Sequence, residues 1–190
     1  NDSLETNFLA GKLVVCKDKK LTTNNPKPLV GINPGASYGS AKRWYPKEFA
    51  EVAAELSIHY EIIIFGGPDE IDIASDIEKL LIAKGVTNYK NLAGNTTIQE
   101  LISRISGLDL FITGDSGPMH IAASFQIPTV AIFGPTKDEE TSQWAVDKSI
   151  IVKKHLDCQP CMKRTCPLKH HNCMNLIKAD DVLKAVESFY

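Results

Sequence analysis

The chain has 190 residues, 43% of them hydrophobic and 23% charged, which suits about one globular domain with a proper core and excludes a disordered segment. Twenty-one Lys and Arg against 23 Asp and Glu leave a net charge of −2, without the broad basic field of a nucleic-acid binder, so a small-molecule site is the expectation. No apolar run approaches the roughly 20 residues of a membrane helix, and no basic segment with an apolar core opens the chain, so a cytoplasmic location is expected. The first residue is Asn1 rather than Met, and the expectation is that sequence upstream has been removed.

In residues 1–27, FLAGKLVV reads as a helix end or strand, LTTNNPKP as a turn, and Cys16 as a buried apolar residue. From Pro28 the pattern clears. LVGI (29–32), EIIIF (61–65), DLFIT (109–113) and PTVAIF (128–133) are short, nearly continuous apolar runs, as in strands buried on both faces, with a weaker strand around Asn91–Leu92. Helical spacing lies between them. Pro46 opens a helix with Phe49, Val52, Ala53 and Leu56 on one face, followed by one with Ile73, Ile77, Leu80 and Leu81. Thr97 and Glu100 form a capping box before Leu101, Ile102 and Ile105, and Ser116 with Pro118 marks another helix start that Asp115 or Ser116 can cap. IIVKK reads as a last strand, a cysteine-rich segment follows, and Val182, Leu183, Val186 and Phe189 give a closing helix.

Strand–helix alternation over about 105 residues from Pro28 implies a doubly wound parallel sheet of Rossmann-like α/β type, because parallel strands require crossovers, and the domain is taken as residues 28–190. Ligands in such sheets gather beyond the carboxyl ends of the strands. The loops there are NPGASYGSAKRW (33–44), GGPDE (66–70), GDSGPMH (114–120) and GPT (134–136), all containing glycine. No G-x-x-x-x-G-K-[ST] or G-x-G-x-x-G occurs, which disfavours a nucleoside triphosphatase and a dinucleotide fingerprint. Loop 33–44 is either an anion cradle with Lys42 and Arg43 or a solvated turn. In 114–120 the helix start favours a phosphate through its free N–H groups and dipole, and Gly117 lets a ligand approach. His120 is either a further donor there or a core or capping histidine. Asp69 and Glu70 would repel a diphosphate, so they either take a neutral hydroxyl-bearing group such as a ribose or serve the helix dipole.

GINPGASYGSAKRWYPKEFAEVAAEL and TGDSGPMHIAASFQIPTVAIFGPT, in that order and with the cysteine-containing tail, resemble the C-terminal half of bacterial ADP-heptose:lipopolysaccharide heptosyltransferases, glycosyltransferase family 9, of the heptosyltransferase II type. The resemblance runs from about Leu29 to the C-terminus. It implies the nucleotide-sugar domain of a glycosyltransferase B-type fold, with residues 1–27 a linker or remnant of the acceptor domain. It also implies an inverting transfer of heptose from ADP-heptose to the lipopolysaccharide inner core. Lys42 would stabilise the departing diphosphate, Glu70 would meet the ribose, and Asp115, Ser116, Gly117 and His120 would meet the diphosphate and sugar, with Gly35 lining the cradle. Of these, Lys42, Asp115 and His120 carry the catalytic expectation. Such a leaving group, held by a Lys and preorganised N–H groups, needs no metal, and the general base is expected in the N-terminal half. The chain alone is then expected to bind donor without turning it over.

Cys158, Cys161, Cys166 and Cys173, spaced C-x2-C-x4-C-x6-C with His170 and His171 in the last gap, suggest a structural zinc site, with free thiols or disulfides as alternatives. Between Asp147 and His171, Lys148, Lys153, Lys154, Lys163, Arg164 and Lys169 form either a solvated face or a surface drawn to an anionic glycolipid or the inner leaflet of the inner membrane. Two alternatives to the transferase stand at this point. One is another nucleotide-sugar enzyme of the same fold, such as a 2-epimerase, and the other is a non-catalytic zinc-dependent binding module.

Overall fold

In a computed structural model of the chain, the structure describes residues 27–143 and 148–190. The segments FLAGKLVV and 21–26, together with Cys16 and Asp147, lie outside the described residues. Strands β1 (Leu29–Asn33), β2 (Glu61–Ile64), β3 (Tyr89–Asn91), β4 (Leu110–Gly114), β5 (Thr129–Ile132) and β6 (Ser149–Val152) form one sheet. Their order is β3-β2-β1-β4-β5-β6, and every pairing is parallel. Helices α1 (Pro46–Leu56), α2 (Ile71–Ala83), α3 (Ile98–Ile105), α4 (Gly117–Ser124), α5 (Asp138–Thr141), α6 (Asn172–Asn175) and α7 (Ala179–Glu187) complete the fold. This is the doubly wound α/β architecture expected from the alternation.

Strand residues sort by parity. Val30, Ile32, Ile62, Ile64, Leu110, Ile112, Val130 and Ile132 face a core that also holds side chains of α1, α2 and α7. Ile63, Phe65 and Phe111 face the other side, with Ile105, Leu108 and Ala122. Burying each such aliphatic or aromatic side chain contributes about 1.5–3 kcal/mol, so the central strands need no polar face. Gly31 in β1 has a packing reason: a Cβ there would collide with Leu108, Phe111 and Phe65.

The capping box at Thr97 forms as expected, with Glu100 N–H donating to the Thr97 hydroxyl (3.2 Å) and Thr97 N–H to Glu100 Oε2 (2.8 Å). Asp109 stands outside β4, because its carboxylate turns back to accept from Leu29 N–H (2.8 Å). The one-turn helices α5 and α6 carry no apolar period long enough to read.

The chain leaves β1 toward β2 and β3, then returns to place β4 on the other side of β1. Loops after β1 and β4 therefore diverge, opening the crevice where ligands sit in this fold class.

Candidate functional site: the crevice beyond β1 and β4

Both walls of the crevice start from the strand ends and are tied together at their base. Asn33, the last residue of β1, donates its side-chain amide to Thr113 Oγ1 (3.2 Å) and Ser116 Oγ (3.1 Å) across the switch point. A Ser116 hydroxyl occupied by Asn33, Thr113 and the Gly114 carbonyl does not cap α4. The capping expected of Ser116 or Asp115 is thus absent, and the serine fixes the turn instead.

Loop 34–45 leaves β1, makes a single 3-10 turn at Ser40–Lys42 and is anchored by Trp44 just before α1. Trp44 is 2% exposed, donates Nε1–H to the Ile177 carbonyl (3.0 Å) and meets Phe49 edge-on at 4.8 Å. This anchor holds Lys42 at the crevice. Its ammonium lies 2.5 Å from Asp115 Oδ2, with the two side chains 10% and 6% exposed. Asp115 Oδ2 also accepts from Thr136 Oγ1 (2.6 Å) and Thr141 Oγ1 (3.3 Å), so this carboxylate faces inward toward the loop after β5. The Lys42 ammonium rests over the Tyr38 ring, 4.7 Å from its centroid.

On the other side of β1, Glu70 reaches back toward the same rim. Its Oε2 accepts from Gly67 N–H (2.5 Å), and its carboxyl group lies where a Cβ of Gly35 would be. Gly35 is therefore required by the close approach of Glu70. Asp69 is exposed.

Gly117, the first residue of α4, is different. A Cβ built there meets nothing within 4 Å, and its backbone lies outside the left-handed region. Neither packing nor strain asks for glycine at this helix start, whose first amides have no partner within the helix. His120, one turn on, is exposed and makes no hydrogen bond among the described residues. Sequence reasoning named Lys42, Asp115, Gly35, Glu70, Ser116, Gly117 and His120, and all of them come from the loops and helix starts at the carboxyl edge of β1, β2 and β4.

The match to the Glycosyltransferase family 9 (heptosyltransferase) model runs over residues 9–172. The chain belongs to glycosyltransferase family 9. It is 47% identical over 168 residues to the lipooligosaccharide heptosyltransferase 2 of Campylobacter jejuni subsp. jejuni serotype O:6, covering 88% of this chain and 53% of that protein. To the lipopolysaccharide heptosyltransferase 2 of Salmonella typhimurium it is 34% identical over 131 residues, covering 68% of this chain and 37% of that protein. The structure of E. coli ADP-heptose LPS heptosyltransferase II superposes with a TM-score of 0.72 at 26% identity, covering 85% of this chain and 46% of that one. The chain thus spans about half the length of the curated family 9 relatives it matches. The family match starts at residue 9, ahead of Leu29, where the motifs begin.

The cysteine-rich segment of this family 9 domain docks onto loop 34–45, a contact the motifs did not indicate. Ala41 N–H donates to the Arg164 carbonyl (3.0 Å), and the Tyr38 hydroxyl donates to the Met162 carbonyl (2.9 Å). His171 bridges the Ala41 carbonyl through Nε2 (2.8 Å) and the Tyr45 hydroxyl through Nδ1 (3.0 Å). On its far side the segment holds the loop after β5, with Met162 N–H donating to the Pro135 carbonyl (2.9 Å) and Gln159 Nε2 to the Gly134 carbonyl (2.6 Å). Cys158, Cys161, Cys166 and Cys173 are free thiols lining one small cavity with Ala41, Pro135 and His170. Among the described residues no set of three or more His, Cys, Asp or Glu side chains is preformed around a metal position. Burial, with the neighbouring Cys161, Cys166 and Cys158 adding to it, pushes the Cys173 thiol up to about 11.

Of the basic residues in this stretch, Lys153 pairs with Asp138 (2.7 Å) and Lys154 with Asp181 (2.8 Å). No described helix is long and apolar enough to cross a membrane.

Proposed function

We propose that the chain is the donor-binding part of an inverting heptosyltransferase that takes heptose from ADP-heptose and delivers it to the lipopolysaccharide inner core. Family membership supports this reading, and the observation that carries it is the open, unexplained glycine at the start of α4 facing the crevice that also holds Lys42. In this reading the diphosphate lies across the α4 amides, which supply preorganised donors for charge that grows as the anomeric bond breaks. Lys42 adds its charge from the opposite wall, and Glu70 accepts from the ribose hydroxyls. The acceptor hydroxyl loses its proton to a carboxylate outside these 190 residues.

Calorimetric titration with ADP, UDP and ADP-heptose tests the reading. Binding of ADP and ADP-heptose, with UDP weaker and no transfer by the chain alone, is expected. Absence of ADP binding overturns it, as does a preference for UDP, which fits a 2-epimerase-like enzyme.

Two finer proposals accompany it. A zinc ion held by the four cysteines is supported by their shared cavity and requires the thiols to turn toward one point, since no three ligands are preformed around a metal position among the described residues. Elemental analysis finding no stoichiometric zinc removes it. Peripheral contact with the inner membrane rests on Lys148, Lys163 and Lys169, since Lys153 and Lys154 already hold carboxylate partners and Arg164 lies over the Tyr38 ring. Binding to anionic vesicles that is indifferent to salt counts against it.

A further inference from the structure

We infer that Arg164, presented by the cysteine-rich segment, is a second cation for the diphosphate of the nucleotide-sugar donor, and that Tyr38 is the shelf that carries it there. The inference rests on the donor reading above and extends it to a segment outside the two motifs.

The Tyr38 ring holds two cations. Lys42 Nζ stands 4.7 Å from its centroid and the Arg164 guanidinium carbon 5.3 Å from it. The placement of Arg164 is built rather than incidental. Its own carbonyl accepts from Ala41 N–H (3.0 Å), and the Tyr38 hydroxyl is fixed on the Met162 carbonyl two residues earlier (2.9 Å). Gly39 lets the two backbones touch, because a Cβ there would strike the Arg164 carbonyl.

The two cations differ in what they have left to give. Lys42 is nearly buried and paired with Asp115 at 2.5 Å, so part of its charge is already spent on that carboxylate when an anion arrives. Arg164 is exposed and, among the described residues, pairs with no carboxylate. A diphosphate offers oxygens in the planar spacing that a guanidinium engages with two N–H groups, whereas an ammonium acts as a point charge. Stacking on the tyrosine face orients that fork at little entropic cost and leaves its edge free for the ligand. A second, uncompensated cation is thus delivered by the tail, and the docking of residues 159–171 onto loop 34–45 acquires a functional reason.

The test is calorimetric titration of the 190-residue chain with ADP and AMP, in the wild type and in Arg164→Gln, Arg164→Lys and Tyr38→Leu. Arg164→Gln is expected to weaken ADP binding about tenfold, the scale of one lost charge-assisted hydrogen bond, and to leave AMP binding within about twofold. Arg164→Lys restores part of the loss, and Tyr38→Leu reproduces most of it. Unchanged ADP affinity in Arg164→Gln overturns the inference alone, as does an equal loss for ADP and AMP. Failure of the wild type to bind ADP overturns the donor reading itself. Because Arg164 is exposed and its hydrogen bond to Ala41 is made by its backbone carbonyl, the Arg164 substitutions leave the fold in place, which a matching thermal melt verifies.

Discussion

Gly117→Ala separates a glycine kept for the fold from one kept for a ligand. Its new Cβ meets no atom within 4 Å, and the backbone conformation is open to any residue. At the first position of α4 the change reduces the freedom of the unfolded chain, which stabilises by about 0.4–1 kcal/mol. For a domain of this size that is a rise in Tm of about 1–4 °C. Binding moves the other way. The methyl group occupies the space through which a diphosphate reaches the helix amides, a helix-start contribution of about 1–2 kcal/mol when partly buried. ADP affinity should then fall about five- to thirtyfold. Thermal melting and calorimetric titration on the same protein give both signs. A lowered Tm means the glycine serves the fold, and a raised Tm with unchanged ADP affinity means nothing approaches the helix there. Either result refutes the reasoning that places the diphosphate on α4.

Lys42→Ala leaves the Asp115 carboxylate buried with only the Thr136 and Thr141 hydroxyls, a loss of about 3–5 kcal/mol, or about 6–20 °C in Tm. Lys42→Met combined with Asp115→Leu should recover most of that stability in denaturant titration while ADP binding stays weak; a single variant that melts with the wild type contradicts the buried pair. The Cys173 thiol, held up to about 11 by burial and its neighbours, keeps its proton in the folded chain where the unfolded chain loses it. That stability is fully present below the ordinary thiol pKa and is lost as pH rises toward about 11, so urea midpoints should decline across this window and Cys173→Ala should flatten the decline. A decline of equal slope in the variant assigns it to other groups.

What the sequence revealed of the fold came from burial. Runs such as IIIF (62–65) are apolar at every position because helices cover both faces, so continuous runs marked them, and the Thr97 box marked α3 by local hydrogen bonding alone. Single positions within the site were read on the same terms, by residue type in a loop after a strand. Long-range partners have no such signal. Asp115 and Lys42 are 73 positions apart in sequence, and nothing local announces that the carboxylate turns to a lysine and two threonines rather than outward to a ligand. Ser116 shows the same limit, since its residue type suits an N-cap but Asn33, 83 positions earlier, takes its hydroxyl. Arg164 lies in a turn-rich segment whose composition spoke of sulfur chemistry and surface charge. Only the register of Ala41 against Arg164 reveals that the segment is also a wall of the crevice. The crevice of this family 9 domain therefore has three sides rather than two: the loop after β1, the start of α4, and a tail that grips the loops after β1 and β5 and brings its own cation. Because none of the hydrogen bonds that hold that tail uses the Arg164 side chain, its register can persist while the exposed side chain at position 164 varies, and exchange at that one position changes the charge on this wall at little cost to the fold.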